Sequence, residues 1–545
     1  MSTLRETPLG TAPTDETRPG SHLATGPLQH RADTAPATVP GSGPVTTGAD
    51  SDTAPTTGAG SGPATTVLGS DPATTSLHFV GIGGVSMQAL ALWCQREGFT
   101  VSGCDATDSA SVQTLREAGI HVTVGHDPAH AHDADVLIHS MAVDGTHPEL
   151  AAGRAAGATV LKRIELLSEL FVRRRTLAVT GTHGKSTTTA MIATMLLALE
   201  PDSSVQLGAS LGPINGAMRY GRGEWLTAEV DESDPGFADL RCEVAIVTNI
   251  EDDHIAGEFD ERRNYHASLA DLEAAARRFA LGAQRLVYCA DWTNLSALLA
   301  DHGASVTYGL DAGADFRIEN LTLTAVGSTF TVHRPVGSPV HVTLSVPGRH
   351  NAFNATAAIA ALSQAGFDPE PTLAALAGFV GVGRRWQVHG TPRGAMVVDD
   401  YAVHPTEVRT VLEIARNTGK RVRAVLQPHR WVRTAMHWRA LADAAALADE
   451  VVVVDIYAAG EAPIAAVSTD MIVARIEGAG VPASSHTLAS ATAYLAATLA
   501  EGDLVVTLGA GDVWRVATAL VAEADTATGA ATGPDPVPDT VADAE

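Results

Sequence analysis

Thr176-Leu-Ala-Val-Thr180-Gly181-Thr182-His183-Gly184-Lys185-Ser186-Thr187-Thr188-Thr189-Ala190-Met191 sets the architecture of this chain. An apolar run, Thr176–Thr180, reads as a buried strand, and a helix pattern begins at Thr188. Between them lies a turn with two glycines, a lysine and a serine. Glycines let backbone amides approach a polyphosphate without steric clash. The helix N-terminus adds unpaired N–H groups and partial positive charge. Lys185 can reach the β- and γ-phosphates, and the Ser186 hydroxyl can meet a divalent cation. The glycine spacing is shorter than the usual G-x-x-x-x-G-K-[ST] form. The chain has only three lysines, Lys162, Lys185 and Lys420, and one of them stands in this turn.

Strands and helices alternate on both sides of the turn, which predicts α/β folding on parallel sheets. The first block opens with the strand Leu77–Val80 and the turn Gly81-Ile-Gly83-Gly84-Val-Ser86, followed by a helix pattern through Arg96. Further strands are expected at Thr100–Ser102 and Val136–His139. Gly81 and Gly83, with Asp105 some twenty residues on, mimic a dinucleotide-binding fingerprint, although Ser86 stands where that pattern has glycine. The second block continues through the strands Trp225–Ala228 and Val244–Asn249. Residues 315–346 alternate Thr, Val and Phe with polar residues, as antiparallel strands do, and a helix follows near His350. The third block carries strands at Met396–Val398, Val422–Leu426, Val451–Val454 and Leu504–Thr507, separated by Ala-rich helices. The expected boundaries are 77–172, 173–379 and 380–523. Residues 1–76 and 524–545 are poor in large apolar side chains and are expected to be disordered tails.

Several further strings accompany the phosphate turn in order: His78-Phe-Val-Gly-Ile-Gly-Gly84, Ala228-Glu-Val-Asp-Glu-Ser-Asp234, Val247-Thr-Asn-Ile-Glu251 with Asp253-His254, and Pro347-Gly-Arg-His-Asn351 with Asn354. The third block adds Gly383-Arg-Arg385, Asp399-Asp-Tyr401 with His404-Pro-Thr-Glu407, Gln427-Pro-His-Arg430 with Arg433, and Asp455-Ile-Tyr457 with Gly460-Glu461. Together with Gly181-Thr-His-Gly-Lys-Ser-Thr187, these strings resemble the Mur ligase family over essentially all of 77–515. Within the family they look like the branch that joins alanine to UDP-N-acetylmuramate.

The resemblance implies three domains: a Rossmann-like UDP-sugar domain, a central P-loop ATPase-like domain, and a C-terminal Rossmann-like domain that closes on the substrates. It implies ATP and Mg²⁺, with ATP phosphorylating the muramyl carboxylate and L-alanine attacking the acyl phosphate, in peptidoglycan precursor synthesis. Residues 181–187, Asn351, Asn354 and Arg385 would hold ATP, the two amides suiting the adenine edge. Gly81, Gly83, Gly84 and Asp105 would hold the UDP-sugar. Tyr401, His404, His429, Arg430 and Arg433 would hold the carboxylate-bearing substrates, arginine being suited by its bidentate geometry. Lys185, Glu229, His254, His404 and Arg430 would form the catalytic set, and Ser186, Glu229 and His254 the metal set. Hard cations prefer oxygen, so Glu229 is the natural anchor and His254 rests on the resemblance. Sister branches place a modified lysine near a second metal, but this chain has no lysine between 186 and 419.

Departures occur at Ser86, Pro235, Ala256, where the family carries Asp, and Val403, where it carries His. They keep other readings open: a ligase for another amino acid or a recycled peptide, or a nucleotide-binding paralogue without turnover. A dehydrogenase fits poorly beside a second phosphate turn. The carboxylates of Glu229-x-Asp231-Glu232-x-Asp234 repel one another unless a cation compensates.

Bulk properties agree with a cytoplasmic enzyme. Acidic residues number 62 against 36 basic, a net charge of −26. That disfavours nucleic acid and anionic membrane as partners, yet allows a small anion at a local basic site. Cys94, Cys104, Cys242 and Cys289 are far apart, with no pair at metal-ligand spacing, and are expected to be free buried thiols. Neither a signal peptide nor a membrane span is expected.

Overall fold

The computed structural model describes residue 68 and residues 71–140, 143–255 and 266–528, with the backbone alone for Val85 and 524–528. Residues 1–67 and 529–545 of the expected tails, and Ala256, lie outside the described residues.

Three sheets carry the described chain. The first is fully parallel, in the order His121–Val124, Thr100–Asp105, Ser76–Val80, Val136–His139, Thr159–Lys162. The second places the phosphate-turn strand, Arg175–Thr180, between Val244–Val247 and Trp225–Glu229, both parallel to it. Thr176–Thr180 are all buried, as a strand covered on both faces requires. Beyond Ser305–Gly309 this sheet turns antiparallel through Phe316–Leu323, Ser328–His333 and Val340–Leu344. In the last strand the pattern buried–exposed–buried–exposed–buried matches the alternation of its residues. The third sheet runs Gln387–Gly390, Met396–Asp400, Asp503–Leu508, Arg421–Leu426, Glu450–Val454, Ala483–His486, parallel except at its first pair.

The apolar core explains the layering. One large buried cluster runs through the first two sheets, from Leu68 to Val382, and a smaller one of Val80, Cys104, Ala131, Leu137 and Leu150 lies against the first sheet. The third sheet has a cluster on each face: Val398, Val422, Ala424 and Val506 on one, Val397, Val425, Val452 and Val505 on the other. Alternate residues of each strand serve opposite helix layers. The helix after the phosphate turn, Lys185–Leu199, packs against Arg349–Gln364. Six fully buried alanines in the second helix, at 352, 355, 357, 358, 360 and 361, allow close approach.

Two expected boundaries move. Leu68 is fully buried, and Thr75 Oγ1 bonds to its carbonyl at 3.4 Å, so ordered chain begins before the expected end of the tail at 76. One large apolar side chain in a polar segment suffices to anchor it. At the other end the helix Trp514–Thr528 passes 523, because the alanines that make the segment compositionally simple also favour helix. The four cysteines are free and buried, as expected. No helix of the described residues is long and apolar enough to cross a membrane.

Candidate active site

A cleft of about 1980 Å³ opens between the strand ends of the three sheets. Gly81, Gly84, Ser86 and Asp105 line it from the first, residues 182–187 and Glu229 from the second, and Arg385, Tyr401 and Arg433 from the third.

The phosphate turn is built on two left-handed glycines, Gly181 at φ 131° and Gly184 at φ 81°. A Cβ at Gly181 would lie 2.2 Å from Thr248 Oγ1, and one at Gly184 2.8 Å from Asn354 Oδ1. Only glycine satisfies both the dihedral and the space. Lys185, the first helical residue, donates to the carbonyls of Gly181 at 2.8 Å and Thr182 at 3.2 Å. Its ammonium also stands 2.7 Å from the fully buried carboxylate of Glu232. Burial opposes the lysine charge, but Glu232, Asp231 and Glu229 outweigh it and raise its pKa. Burial raises the pKa of Glu232 despite the ammonium beside it. Part of the compensating charge that the acidic run requires is therefore Lys185.

Ser186 Oγ donates to Glu229 Oε1 at 3.0 Å, and Glu229 Oε2 accepts from the Gly208 amide at 2.7 Å. His254 Nε2 lies 3.9 Å from Glu232 Oε1 and 3.6 Å from Asp253 Oδ2. Its backbone is left-handed at φ 57°, a conformation that costs energy in a non-glycine residue and holds the ring toward these carboxylates. Lys185, Ser186, Glu229 and His254 thus converge, with Glu232 as the connecting residue. The acidic string marks Glu232 as one carboxylate among several; its pairing with Lys185 depends on the packing of two strands.

The third sheet meets this region through the buried Arg433 and the half-buried His183. Arg433 donates from Nε and Nη2 to Asp253 Oδ1 and Oδ2 at 3.0 and 3.3 Å. His183 meets Glu251 Oε2 through Nε2 at 2.8 Å and Glu407 Oε1 through Nδ1 at 3.2 Å. Burial disfavours its charge, yet the two carboxylates prevail and raise its pKa to about 9. Thr406 Oγ1 donates to the same Glu251 oxygen at 2.8 Å.

Asn351, Asn354 and Asp105 line the cleft and also hold its local structure together. The Asn351 amide donates to Pro347 O at 2.7 Å. Asn354 donates to Asn351 Oδ1 at 3.2 Å and accepts from Thr188 Oγ1 at 3.2 Å. These amides tie the two helices together at the edge of the cleft. Asp105 spends both oxygens on its own surroundings, accepting from the amides of Gly83 at 2.8 Å and Thr107 at 3.0 Å. It clamps the glycine turn that it was expected to assist. Ser86 is exposed on the first turn of the helix Val85–Arg96, so its side chain does not crowd the strand.

His404, His429 and Arg430 are buried and are not among the residues lining the main cleft; Arg430 borders a small cavity shared with Asp253, His254 and Arg433. His404 caps the helix Pro405–Asn417 and lies 3.3 Å from Glu251. His429 stacks on Tyr457 and meets Arg433 Nη1 at 2.9 Å. Arg430 donates to Glu461 at 2.6 Å. Glu251, Tyr457 and Glu461, which hold them, come from loops elsewhere in the chain. Arg384 and Arg385 also separate. Arg384 is buried, bonded to Asp399 Oδ2 at 2.9 Å and to the carbonyls of Gly509 and Ala510. Both arginines line the cleft and lie over the Tyr401 ring, Arg384 at 5.3 Å and Arg385 at 5.0 Å, but the Arg385 side chain is 32% exposed against 9% for Arg384. Two departures acquire local reasons. Pro235 opens a 3₁₀ turn capped by Asp234, where its missing N–H costs nothing. Val403 donates its backbone N–H to Glu407 at 3.0 Å, a bond independent of side chain.

Comparisons with known proteins agree with this architecture. Residues 76–175 match the catalytic domain of the Mur ligase family, 179–362 the Mur ligase middle domain, and 384–511 the Mur ligase glutamate ligase domain. The chain is 42% identical to the UDP-N-acetylmuramate–L-alanine ligase of Deinococcus radiodurans, over 82% of this chain and 93% of that protein. It is 40% identical to the enzyme of the same name from Acidothermus cellulolyticus, over 80% and 91%. The crystal structure of UDP-N-acetylmuramate-alanine ligase from Thermotoga maritima aligns with a TM-score of 0.68 at 29% identity, covering 83% of this chain and 99% of that one. On these matches and the three-sheet architecture, the chain belongs to the Mur ligase family.

Proposed function

We propose that this protein joins L-alanine to the carboxylate of UDP-N-acetylmuramate at the expense of ATP, a step of peptidoglycan precursor synthesis in the cytoplasm, where its nucleotide substrates are made. The observation that carries the reading is the convergence of Lys185, Ser186, Glu229, Glu232 and His254 at the N-terminus of one helix, in a cleft shared with the Gly81 turn. The names of the relatives supply the substrates.

In this reading the amides of 182–187 and the Lys185 ammonium grip the triphosphate of ATP. The muramyl carboxylate attacks the γ-phosphorus, ADP leaves, and an acyl phosphate forms. The amine of L-alanine then attacks the acyl carbon, giving the amide and inorganic phosphate. Phosphoryl transfer of this kind is driven by positioning and charge neutralisation. Arg385 and Arg433 bring positive charge from the third sheet to the same space. Ser186 and Glu229 present hard oxygen donors 3.0 Å apart on the cleft wall, which fits Mg²⁺. His254 joins them beside Glu232, whose Oε1 has no hydrogen-bond partner among the described residues. Mg²⁺ held there would offset phosphate charge.

The test is phosphate release by the purified protein with ATP, UDP-N-acetylmuramate and a panel of amino acids. Turnover is expected only with sugar nucleotide and amino acid together, fastest with L-alanine. A preference for another amino acid or a peptide would transfer the protein to a sister activity. ATP hydrolysis that ignores the sugar nucleotide, or no turnover with any acceptor, would defeat the ligase reading.

A further inference from the structure

A second group of metal-ligating side chains lies in the first sheet, apart from the phosphate turn. Cys104 is the penultimate residue of the strand Thr100–Asp105, His78 is on the adjacent strand, and Glu149 is on the helix Pro148–Ala156. His126 and His130 come from the segment that precedes the strand Val136–His139. Cys104 Sγ is 3.1 Å from Glu149 Oε2 and 3.4 Å from His126 Nδ1. Glu149 Oε2 is 3.1 Å from His126 Nδ1, and Glu149 Oε1 is 2.9 Å from His130 Nδ1. Ligand atoms of His78, Cys104 and His130 lie within 4.8 Å of one another, and so do those of Cys104, His126 and Glu149.

We propose that these residues form a binding site for a divalent, thiolate-accepting transition metal of the zinc type, held by Cys104, His126 and Glu149 with a fourth ligand from the imidazoles of His78 or His130.

The donor set argues for the metal class. Sulfur, imidazole and carboxylate suit Zn²⁺, whereas Mg²⁺ and Ca²⁺ take oxygen. Tetrahedral Zn²⁺ with bonds of about 2.0–2.3 Å places its ligand atoms roughly 3.3–3.7 Å apart. The group stands close to that spacing before any ion enters. Burial adds a second argument. Glu149 has no exposed side-chain surface, and His78 is 4% exposed. His78 Nδ1 meets Ser102 Oγ at 2.9 Å, while its Nε2 is buried without a hydrogen-bond partner among the described residues. A buried ring nitrogen without a partner costs free energy that a metal bond would recover. The bland alternative, a carboxylate solvated by histidines, accounts for His126 and His130 but leaves His78 Nε2 unexplained.

The site would pin the helix Pro148–Ala156 to the strands that carry the Gly81 turn. His126 also lines the cleft, so the site forms part of the wall beside Gly81 and Asp105. The inference is independent of the proposed ligase activity.

Metal-free full-length protein should be loaded with Zn²⁺, passed through gel filtration and assayed for metal. About one tightly held ion per chain is expected, with a higher melting temperature than the metal-free form. Co²⁺ loading should produce a sulfur-to-cobalt charge-transfer band. Cys104→Ser should remove the band and His126→Ala should weaken retention at least tenfold. Glu229→Gln, in the phosphate site, should change neither. His126 is exposed, so its variant remains informative if Cys104→Ser fails to fold. Failure of the wild-type protein to retain zinc would overturn the site. So would a cobalt–sulfur band that survives Cys104→Ser, or retention lost in Glu229→Gln but not in His126→Ala.

Discussion

Lys185 Nζ stands 2.7 Å from Glu232 Oε2, pairing the cation of the phosphate turn with a carboxylate that has no exposed surface. The two residues come from different strand ends, and the pair positions the ammonium at the mouth of the turn. Lys185→Ala is expected to lower kcat by about a thousandfold or more, the scale of losing a cation that acts on transition-state charge. It should also destabilise the fold by about 3–5 kcal/mol, because Glu232 loses its partner. Adding Glu232→Gln should restore much of the stability and none of the turnover. Phosphate release and denaturant unfolding separate the two effects. Full turnover in Lys185→Ala would remove the assigned role.

His183 links the turn to the third sheet through Glu251 and Glu407, with the His404 ring 5.0 Å away. Its pKa is raised from 6.5 to about 9, so the folded state holds this proton more tightly than the unfolded chain. The stabilisation is fully present below about pH 6.5 and is lost as pH rises through about 9. Denaturant midpoints measured from pH 6 to 10 should fall across that window, and His183→Gln should flatten the fall. An unchanged pH profile in the variant would show that the two carboxylates do not hold the proton on His183 as described.

Arg433 and Asp253 join the third sheet to the second through a buried bidentate pair. Asp253→Asn is expected to destabilise the protein by about 3–5 kcal/mol, since a buried guanidinium is left without its counter-charge. A double-mutant cycle with Arg433→Met should return a coupling of about 1–3 kcal/mol. A coupling near zero would mean that the two sheets are held together elsewhere.

Neighbouring arginines should give opposite results. Arg385→Ala should lower kcat/KM by about tenfold to a hundredfold while changing stability little, because its side chain is 32% exposed in the cleft and its nearest carboxylate, Glu407, is 3.6 Å away. Arg384→Ala should destabilise the fold by several kcal/mol, stranding Asp399 and two backbone carbonyls. Thermal melts and steady-state kinetics on both variants decide the matter, and equal behaviour would contradict the separation.

The order of the residues was enough to recover the three α/β blocks, the phosphate turn, and the antiparallel strands within 315–346. Those features are local: periodicity, glycines that need positive φ, and a lysine at a helix start are all visible within a dozen residues. Edge strands such as His121–Val124 and Ala483–His486 escaped notice, because they are short and owe their existence to a neighbouring strand. What the tertiary structure alone decided was partnership. It paired Lys185 with Glu232 and His183 with Glu407, buried Arg384 while leaving Arg385 partly exposed, and buried His404, His429 and Arg430. Such pairings depend on which strand ends lie side by side, and a carboxylate carries no mark in the chain of the cation it will meet.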